Sequence, residues 1–361
     1  MEKINHAVVL GAGLMGRLLA HSLARAGTRV DVYDAQGPEA EGAAARVAAA
    51  MLAPLAESAI TEMPVVRMGQ YGLTRWPVLL GELTQPVFFQ QNGTLIVWHR
   101  QDKPEAQRFA QLLTQTQIQL PALSAMQMLD RHALAQCEPA LQDRFQSAFY
   151  LPNEGQLDNR QLLTALLATM VGQNVHWHWH CPQSPQAFSP GTSGQPDWVF
   201  DCRGLGAKPE WRNLRGVRGE VVRLFAPEVT LQRPTRLIHP RYPLYIAPKE
   251  DHVFVIGATE IETEDISPAS VRSTLELLSA AYTVHSGFAE ARILEINTQA
   301  RPTLKNNLPA IRQLGPRSLQ INGLYRHGFL IAPAMLDMVL EWVNHGSTQL
   351  ADTFSLAIEH V

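Results

Sequence analysis

Apolar positions along this chain recur with two different spacings, and the changes between them mark out its parts. Ala7 to Leu10 is a short continuous apolar run that leads into Gly11-Ala12-Gly13-Leu14-Met15-Gly16. Met15, Leu19, Leu23 and Ala26 then repeat at helical spacing until Gly27 stops the pattern. The stretch reads as strand, tight turn and helix, and a second strand, Val30 to Tyr33, delivers Asp34 at its carboxyl end. An alanine-rich helix is expected between Gly37 and Pro54, and a longer one from Met63 to Leu83, bent at Pro77. VFFQQNGTLIVW predicts a β-hairpin, because Asn92-Gly93 offers the positive φ angles of a two-residue turn. Polar helices over Pro104–Gln117 and Asp130–Gln136 then read as a surface cover.

From Asp158 the α/β rhythm returns, with a helix to Val171 capped by Asp158 or Asn159, a strand from Asn174 to His180, and a strand from Trp198 to Cys202 that runs into Arg203-Gly204-Leu205-Gly206. Beyond Gly216 the pattern turns β-rich through VRGEVVRLF, LYIAPK and VFVIGATEI, with a helix over Ser270–Thr283 and a strand reaching Ala300-Arg301-Pro302. The last pass, from Ser318, is strand, glycine-containing turn and long helix. The expected fold is α/β: a Rossmann-type dinucleotide-binding domain made of residues 1–60, 150–215 and 300–361, interrupted by an α+β substrate-binding domain built on an antiparallel sheet (61–149 and 216–299).

Composition narrows the function only by exclusion. A length of 361 residues with 46% hydrophobic and 17% charged side chains describes an ordinary globular protein. A net charge of -3 leaves no footprint for nucleic acid or an anionic membrane. Three scattered cysteines, Cys137, Cys181 and Cys202, make no disulfide framework and fit a reducing, cytoplasmic compartment. No signal peptide is expected ahead of the first strand, and GFLIAPAML is too short to span a bilayer. The oligomeric state stays open, a homo-oligomer included.

The glycine turn carries the first chemistry. Gly11 permits the sharp bend, Gly13 lets a pyrophosphate approach the backbone, and Gly16 lets the helix pack on the strand. Unpaired N–H groups and the helix dipole favour phosphate there, and Asp34 lies about 20 residues on, where its carboxylate can accept from a ribose hydroxyl. The motif does not separate NAD from FAD. His176, His178 and His180 share one strand face, but three ligands on a straight strand splay apart and nothing completes a site, so no metal is expected. Arg301 and Arg326 could clamp a carboxylate bidentately, although from the residues alone surface ion pairs are the better reading.

A resemblance bears on that choice. GAGLMG with Asp34, AAAMLAPLAE, VRGEVVRL, YIAPK followed by VIGATEIE, ARPTLKNNLPAI and GLYRHGFLIAP together resemble the FAD-dependent D-amino acid oxidase family, and within it the glycine oxidases of thiamine biosynthesis, over essentially the whole chain. The resemblance implies FAD held by Gly11, Ala12, Gly13, Leu14, Met15, Gly16, Asp34, Met51 and Gly204. It also implies that the backbone N–H groups of Gly328, Phe329, Leu330 and Ile331 face the pyrimidine edge of the flavin. Tyr245 matches a substrate-contacting tyrosine, Arg301 the arginine that pairs with the amino-acid carboxylate, Arg326 a second arginine beside the pocket, and Met51 a pocket-lining methionine. Two departures stand out: Ala48-Ala49-Ala50 replaces a glycine-rich stretch, and DCRGLGA replaces the usual ending of the flavin domain. No cysteine follows Cys202, so FAD is expected to be noncovalent.

The implied reaction is oxidative deamination of a small amino acid or amine (glycine, sarcosine or a small D-amino acid) to the imine and 2-oxo acid, with dioxygen reduced to hydrogen peroxide. A role in thiamine thiazole synthesis fits. The alternatives are a D-amino acid dehydrogenase that passes electrons to a quinone, and a flavin-binding protein without turnover.

Overall fold

Ala7, Val8, Val9 and Leu10 are each no more than 1% exposed, so both faces of the first strand must be covered. A strand of that kind belongs inside a parallel sheet flanked by helices. In the computed structural model, which describes residues 4–239 and 244–361, His6–Leu10 pairs in parallel with Arg29–Tyr33 on one side and with Trp198–Asp201 on the other. The sheet has seven strands, and Val175–His178 forms one edge of it. Ser318–Asn322 continues it in parallel beyond Trp198–Asp201. Residues distant in sequence are thereby brought beside the glycine turn.

A second sheet, of eight strands, is antiparallel apart from the pairing of Thr94–Trp98 with Thr235–Ile238. Arg215–Phe225 lies within it between Arg292–Thr303 and Val253–Gly257, and Leu244–Pro248 is next to the latter. The helix Val271–Val284, capped by Ser270, packs Leu277, Ala281 and Val284 onto this sheet with Val222, Ile246 and Ile256.

Three expectations need correction. The Asn92-Gly93 segment is not a hairpin: Phe89–Gln90 pairs with Gly155–Leu157 in a small three-stranded sheet, whereas Thr94–Trp98 pairs with Ser147–Leu151 in the large one. Gly93 does have φ +88°, but it turns the chain from one sheet to another beneath the Tyr150 ring. The alanine-rich helix is a single turn, Ala44–Val47. Past it, the Ala49 carbonyl is taken by Lys249 Nζ (2.9 Å) and the Ala50 carbonyl by the Leu157 amide (3.1 Å), so tertiary bonds replace helical ones.

Third, the helix Met63–Gly81 falls in the interval assigned to the substrate-binding part, yet it buries Val65, Met68 and Trp76 in the same core as the first strand. Its partner is the helix Gly328–His345. A Cβ on Gly72 would overlap the Leu330 carbonyl, and Trp76 Nε1 donates to the Phe329 carbonyl at 2.8 Å. The close approach fixes where the last long helix begins.

Candidate active site

The turn after the first strand is shaped by its neighbours. Gly11 has φ +93°, and a Cβ there would stand 2.7 Å from the Cys202 carbonyl oxygen. A Cβ on Gly16 would overlap the Gly11 carbonyl, so Gly16 serves helix–strand packing and does not reach the cavity. Gly13 differs, because its Cβ would meet nothing nearer than the Ala43 Cβ at 3.7 Å. No neighbour in the protein requires a glycine at that position, and the space beside it is a cavity wall. Arg17, buried in the helix that follows, donates to the carbonyls of Ala12 (2.8 Å), Leu163 (2.7 Å) and Pro38 (2.6 Å) and braces the turn from behind.

Asp34 closes the turn on the other side. Its Oδ2 accepts from the Ala12 amide (2.5 Å) and its Oδ1 from the Gln36 amide (2.7 Å).

The cavity that opens here has a volume of about 920 Å³ and runs from the turn to the face of the antiparallel sheet. Gly11, Ala12, Gly13, Leu14, Met15, Asp34, Met51, Cys202 and Gly204 line the first part. Tyr245, Arg301 and Arg326 line the second, with Gly328, Phe329 and Leu330 at the start of the last long helix. Ile331 is fully buried behind that wall and does not line it. The first amides of the helix lack partners within it and form a positive end suited to an anionic edge.

Arg301 is not at a strand end, as the sequence suggested, but inside Arg292–Thr303 opposite Val217. Its Nη1 and Nη2 both donate to the Thr259 carbonyl (3.2 Å each), and among the described residues no carboxylate pairs with it. Burial lowers its pKa from the usual arginine value, by more than Tyr245, Tyr325 and the more distant Glu260 raise it, as fits a guanidinium held out of water with no carboxylate in direct contact. Two glycines make room for the pocket side chains. A Cβ on Gly219 would overlap the Arg301 guanidinium, and one on Gly257 would stand 2.8 Å from the Tyr245 hydroxyl. Gly219 sits inside a strand and Gly257 at the end of one, where a missing side chain signals a close approach.

Arg326 is engaged. Its Nη1 donates to Glu260 Oε2 (2.8 Å), and its Nε lies 3.4 Å from Glu57 Oε2. Glu57 also receives Arg236 Nη1 (2.8 Å) and faces His327 Nδ1 (3.5 Å). Burial opposes the Glu57 charge, but Arg326, Arg236 and His327 outweigh it and hold its pKa down to about 2. His327 is pushed by burial down to about 4 and is neutral near pH 7. Burial pushes the Tyr245 hydroxyl above its ordinary value, which leaves it a neutral hydrogen-bonding group. Sequence reading missed Glu57, Arg236, Glu260, Gly219 and Gly257; the in-strand glycines of VRGEVV and VIGATE were the available signal for the last two.

His178, from the strand of three histidines, pairs through Nε2 with Asp31 (2.8 Å) and stacks on Tyr33 at 4.2 Å. Among the described residues no group of His, Cys, Asp and Glu is arranged to hold a metal ion, and no helix is long and apolar enough to cross a membrane.

A dinucleotide turn, a buried guanidinium and a helix start share one cavity, as a flavin-dependent oxidoreductase of small anionic substrates would need. The family model for FAD-dependent oxidoreductases matches residues 6–342, and the chain belongs to that family. It is similar, at 38% identity over 332 residues that cover 91% of this chain and 93% of the relative, to a Rhizobium etli protein named as a thiamine biosynthesis oxidoreductase, ThiO. In structure it is similar to glycine oxidase from Geobacillus kaustophilus, with a TM-score of 0.82 at 21% identity over 98% of this chain and 99% of that one. Iminodiacetate oxidase from Chelativorans sp. BNC1 gives a TM-score of 0.77 at 19% identity, over 95% and 96% of the two chains. At such identities the structural likeness speaks for the fold.

The residues present fit FAD. The open space beside Gly13, the paired Asp34 carboxylate and the amides at Gly328–Leu330 would hold pyrophosphate, ribose and flavin edge respectively.

Proposed function

We propose that the protein catalyses FAD-dependent oxidative deamination of a small amino acid or amine (glycine, sarcosine or a small D-amino acid), giving the imine and then the 2-oxo acid, with dioxygen reduced to hydrogen peroxide. The observation that carries this reading is that Arg301, a guanidinium with no carboxylate partner among the described residues, stands with Tyr245 in the same cavity as the dinucleotide turn. A desolvated guanidinium without an anion is a receptor for one, and its planar fork suits a carboxylate.

When bound, FAD supplies the two-electron acceptor. The chain's own contribution is placement. Arg301 holds the substrate carboxylate, the Tyr245 hydroxyl adds a hydrogen bond, and together they fix which Cα–H is presented to the cavity. Tyr245 stays protonated near neutral pH, and His327, with a pKa pushed down to about 4, is too weak an acceptor for an ammonium proton, so neither is poised as a base. A substrate that binds as the free amine needs no dedicated base in this pocket.

FAD is held noncovalently in this reading. Cys202, which lines the cavity wall, is a half-buried cysteine whose thiol pKa desolvation raises well above the ordinary value, and a protonated thiol is a poor nucleophile. A role in thiamine biosynthesis, for which thiazole synthesis is the branch proposed, is supported by the name of the Rhizobium etli relative, and a cytoplasmic location by three free cysteines that form no disulfide framework.

The test is optical. The purified protein should show flavin bands that bleach anaerobically with one or more of glycine, sarcosine, D-alanine and D-proline and return with air as peroxide appears. Flavin bands that none of these amines bleaches would overturn the proposal.

A further inference from the structure

Two neighbouring residues treat the two cavity arginines differently. Thr259 offers Arg301 a neutral backbone carbonyl, whereas Glu260 offers Arg326 a carboxylate. The Glu260 carboxylate is anchored from two sides, since Tyr325 donates to Oε1 (2.7 Å) and Arg326 to Oε2 (2.8 Å). Its side chain is 47% exposed, so it stands at the open side of the group, while Glu57 and Arg236 lie behind at 15% and 5%. Three guanidiniums face two carboxylates in this cluster. Arg236 and Arg326 are ion-paired to Glu57 and Glu260, and Arg301, which among the described residues pairs with neither, is left to match one substrate carboxylate.

We propose that Glu260 sets the substrate class of the pocket: by occupying Arg326 it leaves a single anion receptor, so amines bearing one carboxylate are taken and those bearing two are rejected. The proposal deepens the amine-oxidase reading and rests on it. A second carboxylate reaching toward Arg326 meets the Glu260 oxygens first, and like charges at that range exclude it. Selectivity here is the work of a repulsive element placed over an otherwise attractive arginine.

The variant Glu260→Gln keeps the shape and removes the charge. With the FAD-loaded protein, calorimetric binding of acetate and of malonate is compared, alongside kcat/KM for sarcosine and for iminodiacetate, its counterpart with a second carboxylate. In Glu260→Gln the malonate-to-acetate affinity ratio and the iminodiacetate-to-sarcosine kcat/KM ratio should each rise about tenfold, the size expected when one nearby like charge is removed. The double variant Glu260→Gln/Arg326→Gln should lose that gain, and Glu260→Ser, which opens the same space, should show at least the gain of Glu260→Gln. Unchanged ratios in both single variants, or an equal rise with and without Arg326, would overturn the proposal. Failure of the amine-oxidase reading is distinct: wild-type flavin would not be reduced by sarcosine or glycine, while the anion-binding ratio would still report on Glu260.

Discussion

The guanidinium of Arg301 lies over the backbone of Gly219, in the volume that a side chain on that residue would fill. The two residues are on adjacent strands, Arg292–Thr303 and Arg215–Phe225. Gly219→Ala should therefore push the guanidinium out of its place against the Thr259 carbonyl without touching the substrate. KM for an amino acid should rise about tenfold while flavin content stays at the wild-type level. Wild-type steady-state kinetics in Gly219→Ala would show that Arg301 needs no such room.

Arg301→Lys preserves the charge and loses the planar fork. Glycine and sarcosine should bind more loosely and turn over more slowly, because the Cα–H is then poorly placed. A simple alkylamine, which brings no carboxylate, should be indifferent. Equal losses for all three substrates, or loss of the flavin, would show that Arg301 is a structural residue.

Asp34→Ala should weaken FAD binding about 10- to 100-fold, the value of a charge-assisted hydrogen bond at about 1.5–3 kcal/mol. The same carboxylate now holds the Ala12 and Gln36 amides, so the variant should also melt earlier in the absence of FAD. A flavin titration that returns the wild-type dissociation constant would remove Asp34 from the cofactor site.

Glu154 lies behind Glu57 and accepts from the Ala56 amide (2.8 Å), with the Thr94 side chain beside it. Burial pushes its pKa up to about 7 from 4.5. The unfolded chain releases this proton near pH 4.5 and the folded chain only near pH 7, so the native state binds the extra proton between them. The Glu154 contribution to stability is thus present below pH 4.5 and is lost as the pH rises toward 7. Glu154→Gln should remove that decline. Urea unfolding of both proteins across the window, read as a difference so that the opposite slope from His327 cancels, checks it; parallel curves would contradict the assignment.

What could be read from the chain was what local sequence determines. The turn Gly11–Gly16 and Asp34 follow from residues that are neighbours in a βαβ unit, and helix caps such as Asp158 and Ser270 act within a few residues of themselves. Arg301 and Arg326 were undecidable from their surroundings in sequence, because the difference between them is made by Thr259 and Glu260 on another segment. Asn92-Gly93 misled for the same reason: its turn chemistry is genuine, but the strand Gly155–Leu157 captures one arm. Gly219 and Glu57 acquire meaning only when a distant side chain arrives beside them.

The walls of the cavity are also separated in time. Gly11 leaves the ribosome early, whereas Gly328 to Leu330, which complete the opposite wall, come after the whole antiparallel sheet has been made. At about 5–20 residues per second, the turn waits on the order of tens of seconds for its far wall. A flavin held as proposed is therefore captured late in the life of each nascent chain, and a chain stalled before Gly328 carries a dinucleotide turn that has nothing to close upon.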